Sequence, residues 1–87
     1  SYNLKGFKVS GKPNIQNERQ KFGIIVVEVC VNKQGKIIST KQGRGSTVSD
    51  NYLYSISERA VRELAIVPQG NVSETNCGSV TIEYKAN

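Results

Sequence analysis

The strongest constraint on the fold is a β-branched stretch at residues 24–31, which reads Ile-Ile-Val-Val-Glu-Val-Cys-Val. β-Branched side chains lose rotamer freedom in a helix and pack well on a pleated sheet. Every odd position of the stretch is apolar, and alternate residues of a strand face the same side of a sheet. We therefore predict a central strand here, with its odd positions facing the core.

A hairpin and a helix follow this stretch. Residues 32–35, Asn-Lys-Gln-Gly, are typical of a turn because Asn and Gly tolerate positive φ, so residues 36–41 should return beside the central strand. We expect Thr47 or Ser49 to be the N-cap residue of the helix, with Asp50 in its first turn. Apolar residues then recur at helical spacing on one face, namely Leu53, Ile56, Ala60 and Leu64.

Residues 78–85 alternate polar and apolar side chains, as a half-buried strand does. A crossover through the helix brings this third strand back against the first. The sequence thus predicts an α+β fold, in which a three-stranded antiparallel or mixed sheet of order 2-1-3 carries the helix on one face. The third strand then forms an open edge, roughly 23 Å long at about 3.4 Å per residue.

The size of the chain limits it to one small domain, since 87 residues support a single core. We divide it into a polar lead-in arm, residues 1–22, with a short strand at residues 7–9, and an α+β domain, residues 23–87. The longest apolar stretch is far short of the roughly 20 residues that cross a bilayer. Because the chain contains no Met, we expect it to be a domain cut from a longer protein.

The residue types that carry most enzyme and metal chemistry are scarce. The chain has no His, and Cys30 and Cys77 lie too far apart for a CxxC zinc half-site. No nucleophile, base and orienting group come together, so we predict no catalytic residues, no metal and no cofactor. The net charge of +5 is spread along the chain, and the central strand offers no aromatic side chains for base stacking, which argues against nucleic acid as a partner.

Cys30 and Cys77 leave two alternatives open. In the predicted sheet both lie on the face away from the helix, where the end of the first strand meets the start of the third, so a disulfide is geometrically sensible. Two free thiols are the alternative, because a bulge at Gly78 would break the register.

Several of these segments together resemble the C-terminal domain of TonB, the energy transducer of Gram-negative bacteria, in the form found in Bacteroidetes. The resemblance covers about residues 5–85. The segments that carry it are residues 23–39, Gly45-Ser46-Thr47, Tyr52-Leu53 with Ala60, residues 78–82, and the lead-in segments Leu4-Lys5-Gly6 and Gly11-Lys12-Pro13.

The resemblance implies a periplasmic domain that is tethered through a linker to an inner-membrane helix and works with an ExbB/ExbD-type proton-driven motor. The domain would grip the TonB box of a TonB-dependent outer-membrane transporter and transmit force for nutrient uptake. An oxidising periplasm also favours the disulfide.

The open edge is the candidate site, because an extended peptide can join an exposed strand by β-augmentation. Its residues are Ser79, Val80, Thr81, Ile82, Glu83, Tyr84 and Lys85. The alternative is a dimerisation or scaffold domain, in which the same edge, or Ile24 and Val26 on the open face, pairs with a second copy.

Overall fold

The computed structural model describes residues 1–13 and 15–85. Asn14, Ala86 and Asn87, which fall within the arm and the domain assigned from the sequence, lie outside the described residues. The described residues form one helix and six strands, in the order β1 (Tyr2–Asn3), β2 (Phe7–Ser10), β3 (Gly23–Val31), β4 (Ile37–Gln42), α1 (Asn51–Arg62), β5 (Ala65–Pro68) and β6 (Asn76–Tyr84).

The main sheet is antiparallel and has the order β1-β6-β3-β4. The predicted α+β class is confirmed, and the three predicted strands stand in the expected order, because β3 pairs with β4 through the hairpin and with β6 across the crossover. The sheet differs from the prediction in its fourth strand, β1, which lies on the outer side of β6.

β1 covers part of the edge that was predicted to be open. Its contacts with β6 are Tyr2 opposite Val80, Asn3 opposite Ser79, and two backbone hydrogen bonds between Ser1 and Thr81. The predicted open edge is therefore wrong for residues 79–81. A strand of two residues has no periodicity to reveal it, and the bond between Ser1 and Thr81 joins residues 80 apart in the chain.

The predicted hairpin turn is present, but Asn32 contributes to it through its side chain and not through a positive φ. The Oδ1 atom of Asn32 accepts hydrogen bonds from the backbone N–H groups of Gln34, at 3.0 Å, and Lys36, at 2.9 Å. Gly35 has a φ of 85°, in the left-handed region that favours glycine, and a Cβ there would collide with the carbonyl group of Ile66.

Helix α1 begins after Asp50, whose Oδ1 accepts a hydrogen bond from the N–H of Leu53 at 3.0 Å. The prediction of Thr47 or Ser49 as the N-cap residue is therefore wrong. Thr47 is used elsewhere, because its hydroxyl accepts a hydrogen bond from the N–H of Ile24 at 2.9 Å. All three side chains can cap a helix, and a contact with a distant strand decides among them.

The core lies between β3 and α1. The odd positions from residue 25 to residue 31 of β3 are at most 1% exposed: Ile25, Val27, Val29 and Val31. The helix buries Leu53, Ala60 and Val61 against them, together with the polar Ser57. Full burial of a side chain the size of Val or Ile contributes about 1.5–3 kcal/mol. On the same side of the sheet, Val80 and Tyr84 of β6 are also buried in this core.

The arm contributes to this core through a second, two-stranded sheet. β2 pairs antiparallel with β5, and Leu4 and Phe7 are buried beside the main core. β2 agrees with the short strand predicted at residues 7–9. β5 was not predicted, because its four residues end in Pro68 and follow the helix closely, where the sequence reads as a break.

The sheet face opposite α1 is covered at Val26. The loop at residues 43–46 folds over this side chain, which is 9% exposed. A Cβ at Gly43 would lie 3.0 Å from one Val26 methyl group, and a Cβ at Gly45 would lie 3.4 Å from the other. The Val26 side chain is therefore not exposed for contact with a second copy, because the chain's own loop covers it.

Candidate functional site

β6, the strand predicted to form the site, is fastened to β3 along its length. Nine consecutive residue pairs join the strands, from Gly23 with Tyr84 to Val31 with Asn76. At Cys30 and Cys77 a disulfide also joins them, with an S–S distance of 2.04 Å. This disulfide lies on the face away from α1. β6 therefore presents its other edge while it is held to the sheet by both a full ladder and a covalent bond.

The outward-pointing backbone groups of β6 alternate along the strand. The N–H and C=O of Thr81 point away from β3, since they bond to Ser1 with N···O distances of 2.9 and 3.0 Å. In an antiparallel strand every second residue has the same direction, so Glu83 also points its N–H and C=O outward. Among the described residues none pairs with Glu83 on this side. Within residues 1–13 and 15–85, residues 82–85 thus form a free edge.

The seven predicted site residues divide between the two sides of the sheet. Side chains directed toward α1 are Val80, Ile82 and Tyr84, and those directed away from it are Ser79, Thr81, Glu83 and Lys85. The first three positions in sequence are occupied on their edge by β1, and the last four are free of it. The site therefore consists of a covered half and an open half.

Tyr84 fixes the end of β6 to the helix. Its side chain is buried, and its hydroxyl oxygen lies 2.7 Å from Oγ of Ser57. Burial raises the pKa of Tyr84 above its ordinary value of 10.0. The open half of the edge is therefore rigidly placed.

A groove of about 310 Å³ lies beside this edge, on the side of α1. The apolar side chains that line it are Tyr2, Pro13, Ile15, Ala60, Val61, Leu64, Val80 and Ile82. A strand added to β6 would direct alternate side chains to this side. The sequence analysis missed the groove, because its lining comes from β1, the arm, the helix and β6, which no local pattern connects.

The arm bounds the free edge on its far side and is tied to the start of α1. Lys21 Nζ lies 2.7 Å from Asp50 Oδ2, and the guanidinium of Arg19 lies 4.6 Å from the ring centroid of Tyr52. The hydrogen bond from Lys21, followed by that from the N–H of Leu53, lowers the pKa of Asp50 below its ordinary value of 3.8. A cavity of about 440 Å³ lies between residues 15–18 and 20 of the arm and residues 82–85.

The opposite side of β3 is completed by a loop. Gly43 N–H donates to the carbonyl of Val26 at 2.6 Å, and Ser46 Oγ accepts from the N–H of Val26 at 2.9 Å. Thr47 does the same for Ile24, accepting with its hydroxyl at 2.9 Å and donating its N–H at 2.8 Å. These hydrogen bonds take the place of strand pairing for the part of β3 that β4 does not reach.

The outer edge of β4 is less suited to strand addition. The pairing of β4 with β3 has a register shift between Cys30 and Val31, and the exposed Lys41 lies on this strand. Bulges and Lys side chains are the devices that keep edge strands from pairing with other chains. The free part of β6 has no such shift.

Metal and membrane features are absent from the part of the chain that the structure describes. Within residues 1–13 and 15–85, no group of three or more His, Cys, Asp or Glu side chains could hold a metal ion. Over those same residues, no helix is long and apolar enough to span a bilayer.

Comparison with known proteins returns no relative: the chain matches no protein-family model, no curated protein and no solved structure. Its function is therefore argued from the free edge and its surroundings.

Proposed function

We propose that this chain is a peptide-capturing module of the TonB type, which binds the TonB box of an outer-membrane transporter by adding it as a strand to β6. The module acts in the periplasm, joined through a linker to an inner-membrane helix and an ExbB/ExbD-type motor, and passes force to the transporter. It is a binding module, not an enzyme, and needs no cofactor. The observation that carries the proposal is the free edge at residues 82–85.

The way in which β6 is held supports this proposal. A captured peptide pulls on the strand to which it is bonded, so that strand must be better attached to the protein than to the peptide. Nine pairs with β3, the disulfide at Cys30 and Cys77, and the buried Tyr84 meet this requirement. The peptide gains backbone hydrogen bonds from the edge, and the groove beside Ile82 adds selectivity for side chains.

An NMR titration of the oxidised protein with synthetic TonB-box peptides tests the proposal. We expect backbone amide shifts at residues 82–85 and in β1, while amides of β4 on the opposite edge stay in place. Absence of shifts throughout β6 at millimolar peptide would contradict peptide capture.

A matched pair of proline variants sharpens the titration. Glu83→Pro removes an outward N–H from the free edge and keeps the bonds between β6 and β3, because those come from the neighbouring residues. Thr40→Pro does the same on β4, since Thr40 also points outward by the alternation of the ladder. We expect Glu83→Pro to weaken binding roughly tenfold and Thr40→Pro to leave it unchanged.

The alternative function, self-pairing through the same edge, uses the same backbone groups. Sedimentation without peptide distinguishes the two, because self-pairing makes the sedimentation coefficient rise with protein concentration. Glu83→Pro would then abolish the rise. A sedimentation coefficient that does not change with concentration, together with amide shifts on peptide addition, favours capture.

A further inference from the structure

β1 occupies the edge of β6 in the way that an added strand would. It lies extended and antiparallel, and it exchanges two backbone hydrogen bonds with Thr81 through Ser1. Tyr2, opposite Val80, directs its side chain to the helix side, where it lines the apolar groove, and Asn3, opposite Ser79, points to the other side. β1 therefore displays the side-chain pattern that this edge accepts, which is a large apolar residue between polar ones.

β1 is bound to the rest of the protein by fewer and more exposed contacts than β6. The strand has two residues, the Tyr2 side chain is 48% exposed, and the bond from the Ser1 amino group to Thr81 is exposed to solvent. Solvent-exposed hydrogen bonds with few buried contacts open at low free energy. β6 is instead paired with β3 at nine positions.

Gly78 is what allows β1 to approach. A Cβ at this position would collide with the backbone carbonyl of Asn3 and lie 3.0 Å from Cα of Leu4. The positions of β1 and Gly78 are thus mutually dependent, and a single methyl group would separate them.

We propose that β1 is a resident strand, and that an incoming extended segment replaces it on β6 and places a large apolar side chain opposite Ile82. This inference rests on the proposed function and specifies how that site is regulated and what it selects. While β1 is bound, residues 79–81 of this edge are already paired. Once β1 leaves, the edge is continuous from residue 79 to residue 85.

The groove defines the selected side chain. The ladder position next to Ser1, opposite Ile82, directs its side chain to the helix side, where Ile15, Ala60 and Leu64 line the groove. At about 310 Å³ the groove is at the small end of ligand clefts, which suits one large side chain. The next position, opposite the exposed Glu83, takes a polar or cationic residue. The partner is therefore an extended segment in which apolar residues alternate with polar ones.

Two variants of the 87-residue chain change the occupancy of β1 on the edge in opposite senses. Gly78→Ala pushes β1 off the edge, and we expect it to raise peptide affinity roughly tenfold, since affinity falls with the fraction of molecules whose site is occupied. Ser1→Cys with Thr81→Cys locks β1 in place, because directly opposed, hydrogen-bonded residues have Cα atoms about 5.5 Å apart, within disulfide range. We expect this lock to lower affinity at least tenfold.

The probes are two capped seven-residue peptides of identical composition. One alternates apolar residues with Thr, and the other carries the same residues in separate apolar and polar blocks. We expect the alternating peptide to bind at least tenfold more tightly. Equal affinity of the two peptides would overturn the proposed selection by the groove.

Hydrogen exchange of the unliganded protein tests β1 without any peptide. Thr81 N–H bonds to Ser1, whereas its neighbours in β6 bond to β3, so we expect Thr81 to exchange roughly a hundredfold faster than Val80 and Ile82. Exchange of Thr81 as slow as that of Val80 would overturn the inference, even if Gly78→Ala fails to fold. Equal peptide affinity of the locked and native proteins would overturn it while leaving peptide capture intact. Absence of binding in every variant would overturn both.

Discussion

The hydroxyl of Tyr84 donates its proton to Ser57 Oγ, across a distance of 2.7 Å. The direction follows from a third atom, because Ser57 Oγ also lies 2.6 Å from the carbonyl oxygen of Leu53 and must give its single proton to that acceptor. The Ser57 hydroxyl in α1 thus accepts a hydrogen bond from Tyr84, the last residue of β6. The buried face of α1 can therefore contain a serine without leaving a polar group unpaired.

The direction of this bond predicts unequal effects of removing its two partners. Ser57→Ala leaves the buried Tyr84 hydroxyl without an acceptor and should lower the free energy of unfolding by about 1–3 kcal/mol. Tyr84→Phe removes only the donor and should lower it by about 1 kcal/mol. We expect the double variant to be no less stable than Ser57→Ala alone, since the orphaned hydroxyl is gone. Urea denaturation of the four proteins measures this cycle, and equal losses in the two single variants would contradict the assigned direction.

Burial of Tyr84 also predicts a loss of stability in alkali. Its pKa is raised by burial in the folded state, whereas in the unfolded chain it is near 10.0. The stabilisation from the neutral phenol is complete below pH 10.0 and is lost as the pH rises toward the folded-state pKa. The informative quantity is the difference in stability between the native protein and Tyr84→Phe, which isolates the contribution of this phenol. The stability of the native protein should fall more steeply above pH 10; parallel curves would contradict this assignment.

Asp50 predicts the complementary behaviour in acid. Its pKa is lowered by Lys21 and by the N–H of Leu53, so its contribution is complete above pH 3.8 and is lost as the pH falls through the folded-state value. Asp50→Asn keeps an N-cap acceptor but removes the charge. We expect this variant to lose less stability than the native protein between pH 5 and pH 2, measured as the thermal midpoint. Asp50→Ala is the control. It should be less stable than the native protein at neutral pH, because it loses the N-cap acceptor.

The Cys30–Cys77 disulfide predicts a large difference in the free energy of unfolding between the native protein and a variant without the disulfide. A loop of 47 residues loses enough unfolded-state entropy for the bond to contribute about 4 kcal/mol. Replacing both cysteines with Ser should lower the free energy of unfolding by about this amount, as measured in urea at pH 7. The difference in m-value between the two proteins reports the expansion of the unfolded chain. A change below about 1 kcal/mol would indicate that the open chain remains compact when unfolded.

The parts of the fold that the sequence predicts correctly are those with local signals. β3 has its alternation, and the hairpin has Asn32 and Gly35. The helix was placed by its apolar spacing, but of the four residues predicted for its buried face only Leu53 and Ala60 are buried in α1: Ile56 is half-buried, and Leu64 lies beyond the end of the helix. β1 lacks any such signal: Tyr2 and Asn3 form a strand because β6 lies beside them, and they can approach it only because residue 78 has no side chain. The sequence accordingly predicted too long a free edge on β6, because residues 79–81 are paired with the chain's own residues 1–3.

The N-cap shows the same limit on a smaller scale. Thr47, Ser49 and Asp50 lie within four positions, and local chemistry allows each of them to cap α1. The Thr47 hydroxyl accepts a hydrogen bond from the N–H of Ile24, and the Asp50 carboxylate forms an ion pair with Lys21 of the arm. Contacts between distant segments, which no spacing encodes, make the choice.

The disulfide between β3 and β6 also limits how far the protein can be extended under force. Residues between Cys30 and Cys77 form a closed loop that contains β4, α1 and β5. If the oxidised chain is pulled by its two ends, these residues cannot add to its contour length. A fully extended chain gains about 3.4 Å per residue, so the 47-residue separation withholds roughly 160 Å of extension. Under tension the oxidised domain therefore behaves as a short tether, and the reduced domain as a longer one.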